Sequence, residues 1–155
     1  MADSCGEDFF MLIFRLRNCI TTVCALLLSC FLLFILAMGR VSRFSALDGE
    51  RVFYLYSASS QAVIKENIKP VELFFVKGEC VTFTYQNEEE CLQEILALYG
   101  GEILFEEEVA GTHLYYCRTQ SFGGATRIKG AFVNLHIAFN GERCAVGTPL
   151  IFGGF

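Results

Sequence analysis

Cys19-Ile-Thr-Thr-Val-Cys-Ala-Leu-Leu-Leu-Ser-Cys-Phe-Leu-Leu-Phe-Ile-Leu-Ala-Met-Gly39 carries no charged side chain. A helix rises about 1.5 Å per residue, so a run of this length crosses a bilayer core of roughly 30 Å. Arg15 and Arg17 precede it, and Arg40 and Arg43 follow it. Long basic side chains at these places reach the headgroups and anchor a spanning helix. A soluble protein would have to bury this helix on every side, and a chain of 155 residues has little interior for that. A cleaved signal peptide is the other competitor. Its apolar core runs about 7–15 residues and ends in small residues; this core is longer, and Ala37-Met-Gly39 is a poor cleavage site. A lipoprotein reading on Leu27-Leu-Ser-Cys30 fails because apolar residues continue from Phe31 to Met38.

The stretch divides the chain. Residues 1–18 form a cytoplasmic leader, 19–39 the transmembrane helix, 40–50 a connector, and 51–155 an extracytoplasmic α+β domain. The first nine residues are polar and acidic and read as disordered. Basic residues flank the span almost equally, so charge weakly favours the N-terminus inside. The short leader before a first apolar segment suits a signal-anchor in the cytoplasmic membrane.

Charge separates the parts as well. Residues 1–49 hold four basic and four acidic side chains, whereas residues 50–155 hold eight and thirteen, so the net charge of −5 belongs to the distal domain. Phosphate contacts need clustered Lys or Arg. An acidic domain without a basic stripe therefore argues against nucleic acid.

In the distal domain, Arg51–Tyr56 reads as a strand. The segment from Gln61 to Ile68 fits a strand or a short helix, and Pro70 argues against an interior ladder position. Val71–Val76 and Glu79–Tyr85 flank Lys77-Gly78 and predict a hairpin. Asn87 before Glu88-Glu-Glu90 is a helix start, because an Asn side chain accepts an orphan N–H and carboxylates suit the positive helix end. Cys91, Leu92, Ile95, Leu98 and Tyr99 recur at helical spacing, and Gly100-Gly101 ends the helix. Glu102–Val109 and Thr112–Arg118 form a second pair. A loop with an edge segment near Thr126–Ile128 follows.

Ala131-Phe-Val-Asn-Leu-His-Ile-Ala-Phe139 alternates cleanly. It predicts one strand with Val133, Leu135, Ile137 and Phe139 in the core and Asn134, His136 and Ala138 toward solvent. Asn140-Gly141 is a hairpin signal. The whole reads as α+β: an N-terminal transmembrane helix, then a curved antiparallel sheet of about seven strands packed on one main helix.

Few residues point to chemistry. No G-x-S-x-G, H-E-x-x-H, C-x-x-C or P-loop spacing occurs. Cys117 or Cys144 with His136 can be assembled into a thiol–base pair, but any domain with four cysteines and two histidines allows as much. Cys80, Cys91, Cys117 and Cys144 are separated by 10, 25 and 26 residues, which matches no zinc knuckle. They read as buried free thiols, with a disulfide open if the domain is extracytoplasmic. No catalytic residue, metal or cofactor is expected. Asn134 and His136, on one strand face, are the candidate ligand-binding residues. Glu106-Glu-Glu108 suits a charged sheet edge. With 16 Phe and 6 Tyr in the chain, an aromatic surface patch for a protein partner is the leading functional expectation.

Val133-Asn-Leu-His-Ile-Ala138 and Val146-Gly-Thr-Pro-Leu-Ile151, within residues 130–152, carry a resemblance. This stretch is similar to the C-terminal signature of the YwmB family of spore-forming Bacillota. The resemblance implies a secreted or anchored protein with a helix-on-sheet domain like that of the TATA-box-binding protein. It supplies no catalytic residue, and this chain is long enough for only one such unit. A membrane-tethered, non-enzymatic interaction or structural module is the function expected. The alternative is a small-ligand-binding module on the sheet face near Asn134 and His136.

Overall fold

The computed structural model describes residues 4–38 and 42–153. The first three residues of the leader, Gly39 of the span, Arg40 and Val41 of the connector, and the last two residues lie outside them. The chain divides into two units, residues 1–40 and 41–155.

The first unit is a single helix, α1 (Ser4–Met38). It begins inside the leader, so the expected disorder of residues 1–9 is corrected from Ser4 onward. Ser4 to Asn18 has no proline, and its one glycine, Gly6, lies within the helix's first turn, so nothing in the sequence stops the helix from extending upstream of the apolar run. Arg15–Phe34 is the 20-residue stretch long and apolar enough to cross a membrane, and its side chains are exposed throughout.

The second unit is built on β1 (Glu50–Leu55), β2 (Val63–Lys65), β3 (Val76–Thr84), α2 (Glu88–Tyr99), β4 (Gly101–Val109), β5 (Thr112–Thr119), β6 (Thr126–Ile128), β7 (Ala131–Val133), β8 (Leu135–Asn140) and β9 (Arg143–Thr148). Seven strands form one antiparallel sheet in the order β2-β1-β3-β9-β8-β5-β4, and β6 pairs with β7.

Helix α2 has the bounds its caps predict. The Asn87 Oδ1 accepts from the Glu90 N–H at 3.2 Å, and Gly100 closes the helix at φ 60°. Its Leu92, Ile95 and Tyr99 pack on Val81, Cys117, Leu135, Ile137, Phe139, Cys144 and Val146. These are alternate residues of β3, β5, β8 and β9, which is how one sheet face comes to hold the core.

The residues expected as a connector are part of this core. Phe44 is fully buried and meets the rings of Tyr99 and Phe122 edge-on at 5.5 and 5.2 Å. Buried Glu79 fixes the approach, because its carboxylate accepts from the Ser42 hydroxyl and from the Arg43 N–H at 2.8 Å. Arg51 donates to the carbonyl of Leu47 and holds the turn that follows.

Two further expectations change. Pro70–Phe75 is a 3-10 helix rather than a strand. The Glu72 carboxylate accepts from the Lys69 N–H at 2.8 Å and pairs with Lys65, which winds the segment from its first residue. Lys77-Gly78 is not a hairpin turn. Both residues run inside β3, and a Cβ on Gly78 would stand 2.3 Å from the Thr148 carbonyl oxygen and 2.9 Å from the Tyr54 ring. That glycine answers close packing of strands, not a reversal.

Candidate functional site

Asn134 and His136 were the expected ligand-binding pair on an open face. Both are buried, and Ala138 with them. The single strand expected over 131–139 is broken at Asn134, between β7 and β8. Its side chain explains the break. The amide nitrogen donates to the carbonyls of Thr119 and Phe122 at 2.8 and 2.7 Å, and Oδ1 accepts from the Thr119 N–H at 2.8 Å. Its own N–H donates to the Cys117 carbonyl at 3.1 Å. Asn134 therefore ties the end of β5 and the loop after it to the β7–β8 junction.

His136 stands on the sheet face opposite α2, as the alternation predicts. It is covered there by residues of the chain itself. Its ring stacks on Tyr116 at 4.4 Å, and Tyr116 stacks on Phe105 at 4.5 Å, so three rings line up across β8, β5 and β4. The segment after β9 folds back over the same face. The Ile151 N–H donates to His136 Nδ1 at 3.3 Å, and the Phe152 N–H donates to the Tyr54 hydroxyl at 3.0 Å. Gly147 makes this possible, because a Cβ there would stand 2.7 Å from the Ile151 side chain. With Nδ1 accepting, the ring proton sits on Nε2, which is buried without a hydrogen-bond partner among the described residues. Burial lowers the His136 pKa to about 4, against a smaller opposing pull from Glu107.

The thiols lie elsewhere. Cys117 and Cys144 face α2, on the other side of the sheet from His136, so the thiol–base pair does not assemble. Burial pushes Cys117 up to about 12 and Cys80 up to about 11, and it raises Cys144 as well. A thiolate is the nucleophilic form, and burial in apolar surroundings suppresses it. Cys80, Cys91, Cys117 and Cys144 are all free thiols, as are Cys19, Cys24 and Cys30 of α1. No group of three or more His, Cys, Asp or Glu side chains among the described residues is placed to hold a metal ion.

Beside the folded-back segment, on its β1 side, the sheet face opens into a groove of about 680 Å³. Val52, Tyr54, Cys80, Thr82, Arg143 and Ile151 line it. Arg143 reaches Glu50 at 3.5 Å across its exposed rim. The groove is polar and apolar in alternation and suits a small ligand with both characters. Nothing in the sequence pattern marks it, because its walls come from β1, β3, β9 and the returning C-terminal segment.

His113 sits at the α2 side of the far sheet end. Its Nδ1 pairs with Glu88 at 2.8 Å, and the Tyr115 hydroxyl donates to the same carboxylate oxygen at 3.1 Å. The Glu88 hydrogen bond raises the His113 pKa above its ordinary value. Edge strand β4 carries Glu106, Glu107 and Glu108, which discourages pairing with another sheet. No family model, no curated protein and no solved structure matches this chain.

Proposed function

We infer that this protein is a membrane-tethered, non-enzymatic interaction or structural module, held by α1 with its α+β body on the outer side of the cytoplasmic membrane. The observation that carries the reading is the apolar stretch Arg15–Phe34, exposed along its whole length and belonging to a unit separate from the body. A surface of that kind is stable in lipid and not in water. The body supports a non-catalytic role, since Cys117 and Cys144 are buried and face α2, on the side of the sheet away from His136. Its contact surface is the exposed aromatic cluster of Tyr56, Phe74 and Phe75. The resemblance of residues 130–152 to the YwmB family, which implies a secreted or anchored helix-on-sheet protein, is in keeping with this reading.

Alkaline carbonate extraction tests the tether. The intact chain stays in the membrane pellet, and its release would defeat the reading. Labelling of an introduced surface cysteine on intact cells, in the body against the leader, tests which side the body occupies.

A second reading has its own observation. The groove beside Ile151 supports a small-ligand-binding module on the sheet face that carries His136, although His136 itself is covered. Thr82→Phe fills that groove, so it abolishes ligand-induced thermal stabilisation in a metabolite screen if this second reading holds.

A further inference from the structure

The two ends of the sheet differ in chemistry. Val63 pairs with Leu55, and Leu55 with Val76, so these residues mark one end. Around them stand Tyr56, Val71, Phe74 and Phe75, with Val71 and Phe74 exposed by 69% and 60%, too open to serve the core. Tyr56 and Phe75 hold the cluster together: the Tyr56 N–H donates to the Phe75 carbonyl at 2.9 Å, and their rings lie 5.2 Å apart. The chain enters the body at this same end, where Ser42 and Arg43 bind Glu79, three residues beyond Val76 in β3.

Charge follows the same axis. Residues 56–77 carry Lys65, Lys69 and Lys77 against Glu66 and Glu72, while the rest of residues 50–155 carries five basic and eleven acidic side chains. Glu88, Glu106, Glu108 and Glu142 stand at the opposite end, beside His113 or in the β8–β9 hairpin. Aromatic rings with flanking lysines favour the headgroup–acyl boundary. Carboxylates are repelled by anionic lipid. Only residues 39–42 separate Met38 from Arg43, and an extended chain covers at most about 3.6 Å per residue.

We propose that this end of the body is a lipid-contacting surface, with Tyr56, Val71, Phe74 and Phe75 seated at the boundary of the bilayer that α1 enters. The proposal rests on the membrane-tethered reading and adds to it the face that the body turns to lipid.

The chain contains no tryptophan, so Phe74→Trp provides a single emitter. Val109→Trp, exposed in β4 at the opposite end, is the control. The full chain is reconstituted in phosphatidylcholine–phosphatidylglycerol vesicles whose acyl chains are brominated. Emission from position 74 is then quenched about threefold or more relative to position 109, as interfacial burial requires. Equal quenching, or none at either position, in a chain that stays with the vesicles through carbonate overturns the lipid surface and leaves the cluster to a protein partner. Release of the chain by carbonate overturns the tether itself, and the proposal with it.

Discussion

The two histidines respond to pH in opposite directions. His136 is held neutral by burial, with a folded pKa near 4 against 6.5 when exposed. Its contribution is fully present above pH 6.5 and is lost as pH falls toward 4, because the unfolded chain takes the proton first. The loss amounts to about 3 kcal/mol over that window. Urea unfolding at pH 7 and pH 4.5 measures it, and His136→Phe flattens the dependence. His113 has the reverse sign. Its pKa is raised by the Glu88 hydrogen bond, so its contribution is present below pH 6.5 and fades as pH climbs through the elevated value. The His113 ring resonance in NMR titrates above 6.5 and returns toward it in Glu88→Gln. Asn134 matters more than either. Asn134→Leu leaves the Thr119 N–H and two carbonyls unmet in the interior, at a cost of about 3 kcal/mol or more in the same unfolding experiment.

At the scale of elements, Gly78 and Gly123 make a contrast. Gly78→Ala forces a Cβ into the Thr148 carbonyl and costs about 2–3 kcal/mol, whereas Gly123→Ala meets nothing within 4 Å and stays within about 0.5 kcal/mol. Thermal melts of the two variants check this. Helix α2 was legible because its cap, its acidic first turn, its apolar spacing and its closing glycine are all local signals that agree. The β8–β9 hairpin was legible for the same reason, as Asn140 and Arg143 pair across a two-residue loop. Pro70–Phe75 was not, because four apolar residues beside one glutamate look like a strand until Lys65 and the Lys69 N–H converge on that glutamate. The candidate site fared likewise. Alternation put His136 on the correct face, opposite α2, but could not show that Ile151 and Tyr116 cover it. Solvent exposure depends on contacts between distant residues, and a two-residue period carries no information about them.

At the scale of the molecule, the sheet is a partition with thiols on both sides. Iodoacetamide at pH 8 modifies Cys91, which is half-buried, and spares Cys80, Cys117 and Cys144 until denaturant opens the body; peptide mass spectrometry reads the difference. The acidic surplus is concentrated away from the end where the chain enters, so the body has a polarity that its net charge alone conceals. The returning segment after β9 has a consequence of its own. Its two amides are caught by acceptors reaching up from the sheet, one of them an imidazole nitrogen that stops accepting once it is protonated. Acid therefore unfastens the tail at one of its two pins. A chain truncated after Pro149 should bare Tyr54, Cys80 and His136 at neutral pH, and light scattering should find it clumping where the intact protein does not.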